Sequence, residues 1–265
     1  MSFHLAAFTE MLRCTLLGHL RSRMAVLLAV AFIPAWIIVA RLCAPDRAVR
    51  FSLHSVSTDV YAAPANHVGQ VVNALAAVTL VTGFSSFMET FKAGEMDRRL
   101  VLAGYPRFQM LLAKVTAVTL IATLIAVYST AVLRSSLPVN QLMPLALAVF
   151  GAGLVYGGIG LLLGSLVRGE LEGFFLIIML SLVDTGLQNP VLNVADLAGL
   201  SALPLYGACQ VALAAAFTSF TSWPYGLLSF AWAVSTSALA LLAFHARTRS
   251  HCRIATDADV KAPRR

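Results

Sequence analysis

Glu89, Lys92, Glu95, Asp97, Arg98, Arg99, Arg107 and Lys114 fall within one short stretch of a chain that is only 12% charged. Carboxylates and cations at this density can do proton or metal chemistry in a cleft, or they can form a charged surface for a partner. The spacing favours a surface. No histidine or cysteine joins the acids at metal-ligand spacing, and the acids precede the arginines, the order a helix dipole prefers. Gly94 can open a helix here, and Gly104, Tyr105 and Pro106 can end it and turn the chain back. A short rigid helix of this kind transmits a push that a disordered loop would dissipate. A solvated loop whose charges merely set membrane orientation fits the periodicity equally well.

Other chemistry finds little material. His4, His19, His54, His67, His245 and His251 are scattered, with no GxSxG elbow and no HExxH pair. No catalytic residue and no metal site are expected. A phosphate-binding GxxxxGK[ST] loop is also absent from the sequence. Cys14, Cys43, Cys209 and Cys252 have no CxxC spacing; Cys43 and Cys209 fall towards the same face, where a disulfide would be allowed. Asp184 is the one acid near the end of an apolar run, and an intramembrane carboxylate is a candidate gate or substrate residue. Gln188-Asn189-Pro190 follows it closely, which predicts that Asp184 reaches the outer interface.

The elements that must position these residues are membrane helices. Apolar residues make up 59% of the 265 positions, whereas a soluble domain is roughly a quarter charged. Long uncharged runs predict an all-α polytopic membrane protein and exclude an outer-membrane barrel. The predicted spans are residues 24–40, 71–88, 110–133, 142–167, 171–187 and 224–245, in one transmembrane unit over 1–246, followed by a basic tail over 247–265. Residues 208–246 hold no Asp, Glu, Lys or Arg and are broken at Trp223-Pro224. They hold either two spans or a re-entrant hairpin and one span. Charge decides for the second: with six spans and both termini cytoplasmic, only Arg41, Arg47, Arg50 and Arg134 of the nineteen Lys and Arg fall outside. The net charge of +7 therefore reflects orientation, and nucleic acid binding is not expected. Ahead of the first span, Leu5, Phe8, Met11, Leu12 and Leu16 fall on one helical face, and Glu10, Arg13 and Arg21 on another. That pattern predicts an interfacial helix.

Within the spans, Gly153, Gly157, Gly160 and Gly164 line one face of the fourth and allow close backbone approach, within the chain or at a dimer seam. Phe84, Phe87, Tyr128 and Tyr156 are candidate wall residues for a hydrophobic or amphipathic cargo.

The segment FKAGEMDRRLVLAGYPRFQMLLAK resembles the first cytoplasmic loop of ABC-2-type transporter permeases. The matching positions are Glu89 at the end of span two, Gly94 and Asp97 in a coupling helix, the turn Gly104-Tyr105-Pro106, and Lys114 opening span three. LPLYGACQVALAAAFTS is similar to the family's extracellular re-entrant segment. A second arginine, Arg99, and a turn about one residue longer depart from the pattern. The resemblance implies a drug- or antibiotic-type exporter of the bacterial plasma membrane. It further implies a cytoplasmic ABC ATPase subunit that carries ATP and Mg and receives the coupling helix, together with a second permease copy or a sister permease. No cofactor is expected on this chain itself. An ion-gradient-driven transporter and a non-transporting immunity or scaffold protein are the alternatives.

Overall fold

The computed structural model describes residues 2–21, 23–45, 47–53, 60–192, 199–220 and 223–261. Residues 262–265 of the basic tail and 193–198 of the loop after the fifth apolar run lie outside them. The chain begins with α1 (Ser2–Arg21), and the first apolar run follows as α2 (Arg23–Leu27), a π-helical turn (Leu28–Phe32) and α3 (Ile33–Cys43). Pro34 explains the widened turn. It has no N–H to give to the carbonyl of Val30, four residues earlier, and such a gap bends or widens a helix. The Val30 carbonyl, which Pro34 cannot serve, accepts from the hydroxyl of Tyr128, at 2.8 Å. Asn73 Nδ2 donates to the Trp36 carbonyl at 3.2 Å, so a second side chain braces the same irregular helix.

A two-stranded antiparallel hairpin follows, β1 (Ala48–Ser52) with β2 (Val60–Pro64), which the all-α expectation did not include. Val49 and Phe51 alternate inward along β1, the period-two signature of a half-buried strand.

The remainder is helical: α4 (Ala65–Leu102), α5 (Arg107–Ser136), α6 (Leu142–Leu166), α7 (Glu170–Leu187), a 3₁₀ turn (Leu200–Ala202), α8 (Tyr206–Phe217) and α9 (Trp223–Lys261). Four helices are long and apolar enough to cross a membrane: Ala65–Leu102, Phe108–Ser136, Leu142–Leu166 and Trp223–Phe244. Leu28–Cys43 and Tyr206–Phe217 are shorter apolar helices. The protein is thus a predominantly helical membrane protein. The 18 residues of α7 include Glu170, Glu172 and Asp184.

The centre of the bundle is α6. Its glycines Gly153, Gly157, Gly160 and Gly164 are covered by this chain itself. A side chain added at Gly153 would touch Ala122 at 3.3 Å and Thr82 at 3.4 Å, and one at Gly164 would press on Thr90 at 2.8 Å and the Phe87 carbonyl at 2.9 Å. At Gly160 the obstacle is the backbone of α4 itself, around Gly83 and Phe87. Removing side chains lets two helices meet backbone to backbone, the close packing that small residues permit in membranes. Gly151 and Gly158, on another face of α6, make the same allowance for Ser229 and Thr236 of α9.

The 12 residues of α8 reach only ~18 Å at 1.5 Å per residue, too short for a hydrocarbon core of ~30 Å. A short helix packed inside must have its end groups satisfied by protein. At its C-terminal end the Gln141 N–H donates to the Ala215 carbonyl at 3.0 Å and Gln141 Nε2 to the Thr218 carbonyl at 2.9 Å. At its N-terminal end the Leu205 N–H donates to Asp184 Oδ2 at 3.1 Å.

Candidate functional site

The charged segment is not a separate helix. α4 runs without a break from Ala65 through Gly94 to Leu102, so the expected helix start at Gly94 is corrected. Gly94 sits in the helix interior with open space around it, and nothing there forces an interruption. The end comes where the turn residues place it: Gly104 has φ of +86°, a left-handed conformation that a residue with a side chain resists, and α5 begins just after Pro106.

At 38 residues α4 is ~57 Å long, nearly twice a hydrocarbon core. Its last turns therefore form a rigid extension of a span. Along that extension Lys92, Glu95, Arg98 and Arg99 are exposed, with Met96, Leu102 and Phe108 as exposed apolar neighbours. Asp97 points the other way. It is 1% exposed and ion-paired to Lys114 of α5, itself 3% exposed, so the two helices are clamped across the turn. The Lys114 ammonium also lies 5.9 Å from the centroid of the Phe244 ring, which brings α9 to the same point.

The α1 helix completes this end. The Tyr105 hydroxyl donates to the Ala7 carbonyl, and Gln109 Nε2 lies 3.1 Å from His4 Nδ1. Burial raises the Tyr105 phenol above its ordinary pKa, reinforced by the nearby Cys14 and Glu10. Further along, His19 Nδ1 is 3.9 Å from Glu89 Oε2, and a side chain added at Gly18 would meet the same oxygen at 3.1 Å. Ala7 and Thr15 are buried whereas Leu5, Leu17 and Leu20 are exposed. The face that meets the bundle is centred on Ala7 and Thr15, with Met11 and His19 half-buried at the same four-residue spacing. Sequence reasoning passed over His19 as one of several scattered histidines. Its place on that four-residue stripe was the signal that could have found it.

A second polar cluster surrounds Asp184. The residue is buried within the protein, 0% exposed. Its carboxylate accepts from the Tyr156 hydroxyl at 2.7 Å, from the Leu205 N–H and from Gln188 Nε2. α6, α7 and the start of α8 are thus tied to one side chain. α7 ends at Leu187, directly before Asn189 and Pro190.

The four aromatic candidates do not line one chamber. Phe87 is fully buried, stacks near Phe91 with ring centroids 5.5 Å apart, and fills the space left by Gly173. Phe84 stacks on Phe174 at 4.5 Å. Tyr156 serves Asp184, and Tyr128 serves Val30. Cys14, Cys43 and Cys209 are free thiols, with Cys43 exposed and Cys209 buried. Among the described residues no group of three or more His, Cys, Asp or Glu could hold a metal ion.

No protein-family model matches the sequence, and no curated protein matches it.

Proposed function

We propose that the chain is the permease subunit of an ATP-driven exporter of the ABC-2 type, working with a separate ATPase and a second permease. In this reading it crosses the plasma membrane six times with both termini cytoplasmic, and it moves a hydrophobic or amphipathic molecule. The observation that carries the reading is the α4 extension, a continuation of a span that presents Lys92, Glu95, Arg98, Arg99 and Met96 and is braced behind by Asp97, Lys114 and α1. A mixed charged and apolar tip on a stiff lever is what a nucleotide-driven partner needs in order to push a span. The resemblance of residues 91–114 to the family's first cytoplasmic loop supports the same assignment.

The test separates the exposed face from the brace. Glu95→Arg and Arg98→Glu, which change only exposed side chains, should abolish co-purification of an ATPase from native membranes while leaving the melting temperature of the purified chain unchanged. Isolation of the wild-type chain without any phosphate-loop protein under gentle extraction overturns the assignment.

A gradient-driven transporter is the second reading, and Asp184 is the observation in its favour, as a fully buried carboxylate among apolar helices. Its three hydrogen-bond donors describe a structural post rather than an open ion site. Collapse of the membrane potential and pH gradient with ATP retained distinguishes the two: export continues under the first reading and stops under the second.

A further inference from the structure

The first apolar run is gripped unequally on the two sides of its π-helical turn. After the turn, α3 is seated: Ile33, Ile37 and Ala40 are buried, and Asn73 holds the Trp36 carbonyl. A side chain added at Gly69 of α4 would touch Ala40 at 3.6 Å, so the two helices lie close. Before the turn, the described side chains of α2, Arg23, Val26 and Leu27, are all exposed. α2 packs chiefly on its chain neighbours, α1 and the turn itself. A widened turn beside a proline is where a helix bends, so the loosely held half has a pivot at its end.

Beyond that pivot, α1 is docked at a cost. Thr15 is 3% exposed, and its hydroxyl has no hydrogen-bond partner. One turn on, His19 Nδ1 lies 3.0 Å from the Thr15 carbonyl; a carbonyl only accepts, so Nδ1 carries a proton. The other ring nitrogen, Nε2, is enclosed without a partner. A neutral ring leaves Nε2 an acceptor with no donor, and a charged ring leaves it a donor with no acceptor. Glu89, 3.9 Å from Nδ1, is beyond hydrogen-bond reach. Each buried polar atom of this kind weights the equilibrium against docking by roughly five- to a hundredfold. The ties that oppose them sit at the far end of the helix. The Tyr105 hydroxyl donates to the Ala7 carbonyl, and Gln109 Nε2 lies 3.1 Å from His4 Nδ1.

From the pivot, the loose α2 and the costly docking we infer that α1 is a hinged strap with a closed and an open state. It turns about the π-helical turn and latches at Tyr105. Opening uncovers Glu89 and Gln109 and gives Thr15 and His19 solvent partners. It also removes the support behind the α4 tip, so the position of α1 sets how firmly that tip is held. A permanently docked helix would gain from apolar residues at 15 and 19. The inference does not rest on the exporter reading, since it concerns only how α1 is held.

Cys14 on α1 and Cys43 at the end of α3 are exposed free thiols on opposite sides of the pivot, and Leu124 of α5 is 69% exposed. Double electron–electron resonance on the full chain in phosphatidylcholine nanodiscs measures each thiol's distance to a spin label at Leu124→Cys. One protein carries Cys43→Ser and the other Cys14→Ser, with Cys252→Ser in both. The Cys14 distance should have two components and the Cys43 distance one. Tyr105→Phe, which removes only the latch, should raise the ratio of open to closed by roughly two- to tenfold. Thr15→Val, which keeps the shape and drops the unpartnered hydroxyl, should lower it at least about fivefold. The Cys43 distance should stay unchanged in both variants, which reports an intact fold. A single narrow Cys14 distance in both the parent protein and Tyr105→Phe overturns the inference. So does a ratio that ignores Thr15→Val, or equal broadening on the two sides of the pivot.

Discussion

Asp97→Ala should be among the most damaging single changes available in this chain. Both partners of the pair are nearly inaccessible, Asp97 at 1% and Lys114 at 3%, so neither charge falls back on water when the other is removed. The ammonium would be left facing the Phe244 ring, 5.9 Å to its centroid, a contact worth ~1 kcal/mol. Loss of one partner from a buried pair costs about 3–5 kcal/mol. At roughly 2–4 °C per kcal/mol for chains of this size, the melting temperature in detergent micelles should fall by about 6–20 °C. Lys114→Met should cost a similar amount, because it strands the carboxylate. The double variant Asp97→Leu with Lys114→Met removes both charges and should recover to within ~1 kcal/mol of wild type, since well-packed apolar replacements of buried pairs are near neutral. The decisive quantity is the coupling energy from this cycle. Single costs below ~1 kcal/mol, or a double variant as unstable as the two singles combined, would refute the clamp and leave the charges as surface decoration.

Three further outcomes follow from the same contacts. Tyr128→Phe should cost about 1 kcal/mol by stranding the Val30 carbonyl, and close to nothing in a Pro34→Ala background, where the helix recovers its own donor; thermal melts of the four proteins measure this cycle. Gly94→Ala should stabilise the chain by about 0.5–1 kcal/mol, as in any helix interior with room for a methyl group, whereas Gly160→Ala should cost at least 1–3 kcal/mol by overpacking against α4; a destabilised Gly94→Ala would mean that α4 breaks there. Asp184→Ala removes the acceptor of the Leu205 N–H and of Gln188 Nε2, while the Tyr156 hydroxyl keeps the Leu180 carbonyl at 3.3 Å; hydrogen exchange should report it as faster exchange of the α8 amides, with the tip of α4 unaffected.

The helices were legible because hydrocarbon runs and charged ends are strong one-dimensional signals. The apolar stretches at 71–88, 110–133, 142–167 and 224–245, which hold no charge but Lys114, lie within or along four helices able to cross a membrane. What the sequence concealed is set by contacts across long chain distances. Nothing near Glu95 says that α4 will continue through Gly94, because one glycine weakens a helix by under ~1 kcal/mol and the braces that offset it come from α1 and α5. Asp184 has polar and proline-bearing neighbours in sequence, but two of its hydrogen-bond partners, Tyr156 and Leu205, are residues 28 and 21 positions away. The hairpin was missed although Val49 and Phe51 alternate correctly, because two five-residue strands amid so many helical runs give a faint pattern. Lys114 was identified by resemblance and by charge; its pairing with Asp97 lies 17 positions along the chain and has no local signature.

The two polar clusters stand at opposite ends of one stiff connection. Asp97 and Lys114 fix the tip of α4, and Asp184 fixes the start of α8. Between them α4 meets α6 through glycines that bring the two backbones together around Gly160 and Gly164, with the short side chains of Thr82, Ser86 and Thr90 filling the seam. Packed interfaces of this kind move as bodies or not at all, since interiors transmit strain instead of absorbing it. A force on the exposed residues of the α4 tip would therefore shift α4 and α6 together, and with α6 goes Tyr156, which holds Asp184 and through it the first turn of α8. Relief must come where the packing is weaker. The apolar window of α9 is only 28% buried, against 78% for α4. Under the exporter reading the moving boundary is therefore the α6–α9 face and the α8 cap, while the α4–α6 seam is the part that does not yield.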